Sequence, residues 1–264
     1  MSLIISIAAI SVWLFGLLLL AAQALAHIIG YRIGARARNR GHSASDSVSA
    51  LVAGMLGLLA FVLALTLSFA NERFTERRAG TLAETNAIGT AFLRAKAVGG
   101  PEGEAIARLF ETYVETRADF IRAGHEAEKI EEINRRTEAL QTQIWSHVST
   151  IVREKPNPVS VSLMTAVNEV FDASAAERFA FSMQLPWQFF SLLIALTLIG
   201  AGALAYQLGL RGKEPPWLVF LLMVMWSAVI VSILDLATAR LGGIRTDATA
   251  YEWTRQSFAP PQAP

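Results

Sequence analysis

Four apolar stretches, paired on either side of a charged insert, limit what this chain can fold into more than any other feature. They run over about Leu3–His27, Val48–Ala70, Pro186–Leu208 and Pro216–Leu234. Each is close to the ~20 residues that a helix needs to cross a bilayer. In lipid a helix satisfies its own backbone hydrogen bonds, so a helix is the form to expect. The expected fold class is all-α: an integral membrane protein with four transmembrane helices and an inserted extramembrane helical bundle. The expected organisation is a first transmembrane pair over 1–70, an extramembrane helical domain over 71–185, a second transmembrane pair over 186–236 and a short C-terminal tail over 237–264.

Composition narrows the function classes. Lys+Arg number 23 and Asp+Glu 22, and no strongly basic stretch argues for nucleic acid. The chain has no cysteine, which excludes disulfides, thiolate metal sites, iron–sulfur clusters and a cysteine nucleophile. Ala22-Gln23-Ala24 has the small-x-small look of a signal cleavage site. Yet no Lys or Arg precedes the first apolar run, which exceeds a signal core of roughly 7–15 residues. Arg32, Arg36, Arg38 and Arg40 follow it, so an uncleaved anchor is expected.

The first loop, Gly30–Asp46, reads as short and basic, with Ser45 or Asp46 placed to cap the second span. That span carries small residues at Ala53, Gly57, Ala60, Ala64 and Ser68, one face of a helix able to approach another helix closely. Nothing stops the helix after Ala70, so it should continue as one rod to about Val98, where Gly99-Gly100-Pro101 turns the chain. A helix with Ile106, Leu109, Phe110, Tyr113, Val114, Phe120 and Ile121 follows and should end at Gly124. The next carries Ile130, Ile133, Leu140, Ile144, Trp145, Val148, Ile151 and Val152 until Pro156-Asn157-Pro158 breaks it. A last insert helix presents Met164, Val167, Val170 and Phe171. Trp187 and Trp217 suit an interfacial aromatic belt. The terminal Pro-Pro-Gln-Ala-Pro suits a disordered end.

Six positive residues in the two short loops place those loops in the cytoplasm under the positive-inside rule, with the insert outside. Arg73, Arg77 and Arg78 after the second span, and Arg240 and Arg245 after the fourth, argue the other way.

No catalytic, cofactor or metal set emerges. The four histidines, His27, His42, His125 and His147, are dispersed and lack metal-ligand spacing. No GxSxG, Walker or Rossmann pattern occurs, and Gly200-Ala-Gly202 lies inside a span, where it reads as helix packing. An enzyme is therefore not expected. Asp235, at the end of the fourth span, is either a cap or ion pair, or an ion-path residue. Phe61, Leu65 and Phe69 recur every four residues and would form an apolar constriction if their helix lined a pore. Glu84, Asn86 and Gly89 lie in Glu84-Thr-Asn-Ala-Ile-Gly89, with Gly89 suggesting close helix packing.

Gly57-Leu-Leu-Ala-Phe61, Leu67-Ser-Phe-Ala70, Arg73-Phe-Thr-Glu-Arg-Arg78 and Glu84-Thr-Asn-Ala-Ile-Gly89, with Leu234-Asp235-Leu236 and Gly243-Ile244 in the tail, together resemble the bestrophin-like family of bacterial membrane proteins. The family often has a second Asp and a Pro in the tail, where this chain has Ala237 and Ala239. The resemblance implies a homo-oligomer, pentameric by analogy with bestrophin anion channels, in the bacterial inner membrane. It implies passive conduction of small ions, with anions favoured. Phe61, Leu65 and Phe69 would then form the neck and Arg73, Arg77 and Arg78 a positive mouth. Glu84, Asn86, Gly89 and Asp235 would be structural motif residues. It also implies a cytosolic insert, opposite to the short-loop charges. The competing function is a non-conducting membrane sensor or scaffold whose helical domain binds a partner.

Overall fold

The structure, a computed structural model, describes residues 12–183, 186–212, 215–240 and 242–259. The start of the first span, Lys213 and Glu214 of the second short loop, the 185/186 boundary and the terminal Pro-Pro-Gln-Ala-Pro lie outside the described residues. The helices are α1 (Val12–Asn39), α2 (Asp46–Val98), α3 (Gly100–Arg122), α4 (Ala127–Glu154), α5 (Pro158–Ser182), α6 (Trp187–Arg211), α7 (Pro216–Ala237) and α8 (Thr249–Phe258). Among the described residues there is no strand. Four apolar stretches, in α1, the first half of α2, α6 and α7, are long enough to span a membrane. The all-α, four-span expectation holds, and the chain is a multi-pass membrane protein.

The chain divides into two compact units. The membrane unit comprises residues up to Arg73 and from Gln184 to Ile244. Its core is apolar: Phe15 and Leu19 of α1, Leu59, Leu63 and Ala70 of α2, Phe190 and Leu193 of α6, and Ile230, Ile233 and Leu234 of α7. In lipid the close approach of α1 and α6 must come from van der Waals fit and interhelical hydrogen bonds. Gly30 lies against the backbone of Gly202, and Gly34 against the Tyr206 carbonyl. The reading of Gly202 as a packing residue is thereby explained. These contacts also correct the first loop. α1 does not stop at Gly30 but continues to Asn39, because Gly30 and Gly34 are the small residues that let two helices touch. Elsewhere in this unit Gln23 Nε2 donates to Ser227 Oγ at 2.8 Å, and Gln207 Nε2 to Ser49 Oγ at 2.8 Å.

A methyl at position 34 would meet backbone that cannot swing aside. Gly34→Ala should therefore cost about 1–3 kcal/mol of stability by forcing the helices apart. Gly80→Ala, whose added methyl meets nothing within 4 Å, should be neutral or stabilising. Thermal unfolding of both variants in mild detergent checks this; equal melting behaviour would show that α1 and α6 are not so close.

The helical unit comprises Phe74–Met183 and the residues from Arg245 onward. α2 reaches Val98 as one helix, and Gly99 and Gly100 turn the chain with φ of +64° and +68°. Such left-handed backbone is cheap only for glycine. Gly124 ends the next helix at φ +57°. Asn157 caps α5: its side chain accepts from Val159 N and Ser160 N, and Ser160 Oγ accepts from Asn157 N. α3 packs on α4, and α4 on α5. The short C-terminal tail expected over 237–264 divides between the two units. Residues to Ile244 belong with the membrane unit, and from Arg245 the chain joins the helical unit, where α8 lies on α3. Tyr251 of α8 is fully buried and Phe258 stacks on Phe92 with centroids 3.8 Å apart. These aromatics supply the apolar area that a tail reading overlooks.

Candidate functional site

The membrane half of α2 is the least covered span. In its apolar window 17% of residues are buried, against 28–33% in the other three spans. The small-residue stripe, Ala53, Gly57, Ala60, Ala64 and Ser68, is exposed throughout, and a Cβ at Gly57 would meet nothing within 4 Å. Among the described residues of one chain it is not a helix–helix contact. Phe61 is 64% exposed, and Leu65 and Phe69 are 44% exposed each. The opposite face of α2 carries the core residues Leu59, Leu63 and Ala70. So α2 turns one apolar face inward and leaves a second, richer in small and aromatic residues, uncovered.

Arg73 is exposed one turn beyond Phe69. In the helical unit Arg78 is also exposed, its guanidinium 5.9 Å from the Phe74 ring centre, but Arg77 is 2% exposed. A buried guanidinium with partners inside the chain cannot present charge to passing ions, so Arg77 drops out of the expected mouth. Asp235 serves its own turn. Its Oδ2 accepts from Gly243 N at 3.0 Å and its Oδ1 from Ile244 N at 3.2 Å, closing the chain back after α7. Gly242, at φ +75°, lies tight against this carboxylate.

The helical unit holds a second arrangement that the sequence disclosed only in part. Glu84 of α2 is fully buried, and Arg117 of α3 grips it with Nε to Oε1 at 2.6 Å and Nη2 to Oε2 at 3.0 Å. The same Nη2 reaches Glu177 Oε2 of α5 at 2.8 Å. Tyr251 of α8 places its hydroxyl 2.6 Å from both Glu84 Oε2 and Glu177 Oε2. Thr81 Oγ1 donates to Glu177 Oε1. Arg117 also lies over the Phe120 ring at 4.5 Å. One cation, two carboxylates and a phenol thus tie α2, α3, α5 and α8 together with no bulk water between them.

The geometry fixes the protons. Tyr251 has one hydroxyl hydrogen, so between two carboxylates it donates to one and accepts from the other. A proton on Glu177 makes both bonds good and leaves one negative charge opposite Arg117. The electrostatics agree. Burial and the neighbouring Glu84 push Glu177 up to about 8. Glu84 works against burial, the largest influence on it, but the Arg117 guanidinium and the hydrogen bonds around it hold it below the usual carboxylate value. Burial and the two carboxylates keep Tyr251 protonated well above the usual phenol range. Tyr113, buried nearby, is pushed up to about 12.

A pH dependence follows. Unfolded, Glu177 loses its proton near 4.5; folded, near 8. Across that window the folded chain holds a proton that the unfolded chain lacks, so stability falls as pH rises through it. Glu84 acts oppositely and loses its contribution only on acidification below the usual carboxylate value. The melting temperature of the helical unit should therefore decline from about pH 5 to pH 8, and Glu177→Gln should flatten the decline while preserving the hydrogen bonds. An unchanged slope in the variant would place the proton elsewhere.

Of the motif residues, Glu84 alone enters this cluster. Asn86 is exposed, and a Cβ added at Gly89 would meet the Thr254 methyl of α8 at an ordinary 3.9 Å. Arg117, Glu177, Tyr251 and Thr81 went unrecognised in the sequence. A signal did exist. Arg117 continues the stripe Ile106, Phe110, Tyr113 of α3, and Glu177 continues Leu163, Val167, Val170 and Ser174 of α5. A charge in register with a core stripe is buried by the same periodicity that buries its neighbours. Among the described residues no group of His, Asp and Glu is placed to hold a metal.

A membrane unit of four apolar spans with an inserted helical unit defines a class, the multi-pass all-α membrane proteins with a helical extramembrane domain. Within that class the fold is bestrophin-like. A bacterial bestrophin homologue from Klebsiella pneumoniae shares it at TM-score 0.68 and 13% identity, over 92% of this chain and 96% of that one. A mutant of that homologue aligns at TM-score 0.68 and 12% identity, over 94% and 98%. A crystal structure described as a membrane protein aligns at 0.69 and 12%, over 92% and 97%. No protein-family model matches the sequence, and no curated protein matches it.

Proposed function

We propose that the chain assembles as a homo-oligomer in a bacterial cell membrane and passes small ions, anions preferentially, along a pore lined by the uncovered face of α2. The observation that carries the reading is the exposure of that face. Phe61, Leu65 and Phe69 stand outside the chain's own core, next to a stripe of small residues that none of the described residues of another helix covers. Copies brought together on the small-residue stripe would place those three side chains at successive levels of an apolar ring. Arg73, one turn on, would offer positive charge at the ring's end. The bestrophin-like fold supports the same arrangement. A role without catalysis suits it, since a pore requires only a path and a gate.

The test uses the full chain, purified in mild detergent, weighed as a complex, and reconstituted in sealed liposomes. A defined oligomer with chloride flux is the expected result. An oligomer that passes no small ion would favour the scaffold, and binding partners for the helical unit would then be the object of search. A monomer would remove the pore altogether.

A further inference from the structure

The end of α1 carries a ladder of positive charge on the side turned away from the membrane unit's core. Gly30 and Gly34 set one side of this helix against α6. At ~100° per residue, Leu18, Leu25, Ile29, Arg32, Arg36 and Arg40 fall within about 80° of one another, roughly 140° round from those glycines. They form one outward strip, apolar along the span and cationic at its end. Leu18, Leu25 and Ile29 are 48%, 59% and 51% exposed, and the arginines above them are exposed as well.

The charge on this strip is not neutralised within the chain. Among the described residues the guanidiniums of Arg32, Arg36 and Arg40 have no hydrogen bond or ion pair. The neighbouring cations add to the field without cancelling it. Arg38 Nη1 donates to the Gly209 carbonyl at 3.2 Å, and Arg211 Nη2 donates to Ser49 Oγ at 3.0 Å. No Asp or Glu precedes Asp46 in the sequence, and Asp46 itself is exposed at the start of α2. In bulk water such arginines would need no partner. These follow directly on an acyl-facing strip, so they stand where lipid phosphates are concentrated. Arg32 and Arg36 are one turn apart, ~6 Å along the axis, and a headgroup layer is about 5–8 Å deep, so both fit within it. A guanidinium suits a phosphodiester because its fork donates two parallel hydrogen bonds.

We propose that this outward face of α1 binds an anionic glycerophospholipid, with its phosphate held by Arg32 and Arg36, Arg40 adding charge one turn further on, and an acyl chain lying along Leu18, Leu25 and Ile29. Free phosphate offers the same oxygens but leaves the apolar strip unused. The lipid uses both parts of the face. The site is independent of the pore, because it lies on α1 and not on α2.

The test compares dioleoyl-phosphatidylglycerol with dioleoyl-phosphatidylcholine, which have the same chains and differ in net charge. Each is titrated into the full chain in mild detergent, and retained lipid is counted by native mass spectrometry. The phosphatidylglycerol should be held at least tenfold more tightly. Arg36→Gln should weaken it about fivefold, and Arg32→Gln with Arg36→Gln and Arg40→Gln should abolish the preference. The corresponding triple change to Lys should keep much of it, and shows whether loss of charge or loss of folding is responsible. Removing equal charge from exposed positions of the helical unit, by Arg108→Gln with Arg135→Gln and Arg136→Gln, should leave it intact. The proposal fails if the two lipids are retained alike, or if the folded triple-Gln protein keeps the wild-type preference. It fails if inorganic phosphate competes with phosphatidylglycerol at equal concentration, since the occupant would then be a free anion. It also fails if the triple-Gln change alters the mass of the protein complex and not its lipid, since the face would then be a contact with a second copy.

Discussion

Arg117→Met should destabilise the helical unit by about 3–5 kcal/mol, the largest single-residue effect expected in the chain. Methionine keeps most of the volume and the contact with Phe120, so packing is not the source of the loss. The loss comes from Glu84, which stays buried with its charge and no cation. A domain with about 5–15 kcal/mol of total stability loses a large part of it in this way. The cluster can answer only by taking up a second proton, so the variant should melt highest in acid and fail steeply toward neutral pH. Adding Glu84→Gln removes the orphaned charge and should restore a substantial part of the loss. Non-additivity of the two changes is therefore the diagnostic, read by thermal or denaturant unfolding of single and double variants. Arg117→Lys should fall between, because one ammonium cannot grip Glu84 with two bonds and still reach Glu177. If Arg117→Met costs less than about 1 kcal/mol, water reaches these carboxylates and the cluster is a surface network instead.

Those energetics explain which parts of the molecule were legible in the sequence. The four spans and the unbroken α2 were readable because each depends on residues close in the chain. An apolar run of sufficient length, the lack of a breaker between Ala70 and Val98, and two glycines before Pro101 are local facts. The extent of α1 was not readable. Gly30 and Gly34 look like a loop opening until α6 is known to lie against them, and that contact joins residues about 170 positions apart. The docking of α8 was hidden for the same reason. Tyr251 sits in a polar stretch, and its meeting with Glu84, 167 residues earlier, together with the stack of Phe258 on Phe92, shows why α8 folds onto the helical unit. Glu84 was noticed within a motif, but Arg117 and Glu177 appeared as gaps in apolar stripes. The stripe showed which face is inside; it did not show that a charge could stay there, because that depends on partners from three other helices.

Replacing Phe61, Leu65 and Phe69 together with Ala should raise ion flux about tenfold or more in sealed liposomes. Three large apolar side chains at successive turns would resist ions by expelling water from the passage, without any charge. Smaller side chains leave room for water, and each ~1.4 kcal/mol removed from the barrier is worth about tenfold in rate. Folding should change little, because these side chains are 64%, 44% and 44% exposed and make no part of the membrane unit's core. Phe220→Ala on α7 is the control, since Phe220 is likewise exposed, at 60%, but belongs to a different span. If the α2 residues merely face lipid, the triple variant and Phe220→Ala should behave alike, with wild-type flux. If they line a pore, only the triple variant should leak. Arg73→Gln in the same background then tests charge: exposed one turn beyond Phe69, it should lower the preference for anions while leaving total flux high. A triple variant that folds and assembles like the wild type, while both pass no ion, would close the case against a pore and leave the uncovered face of α2 as an assembly surface alone.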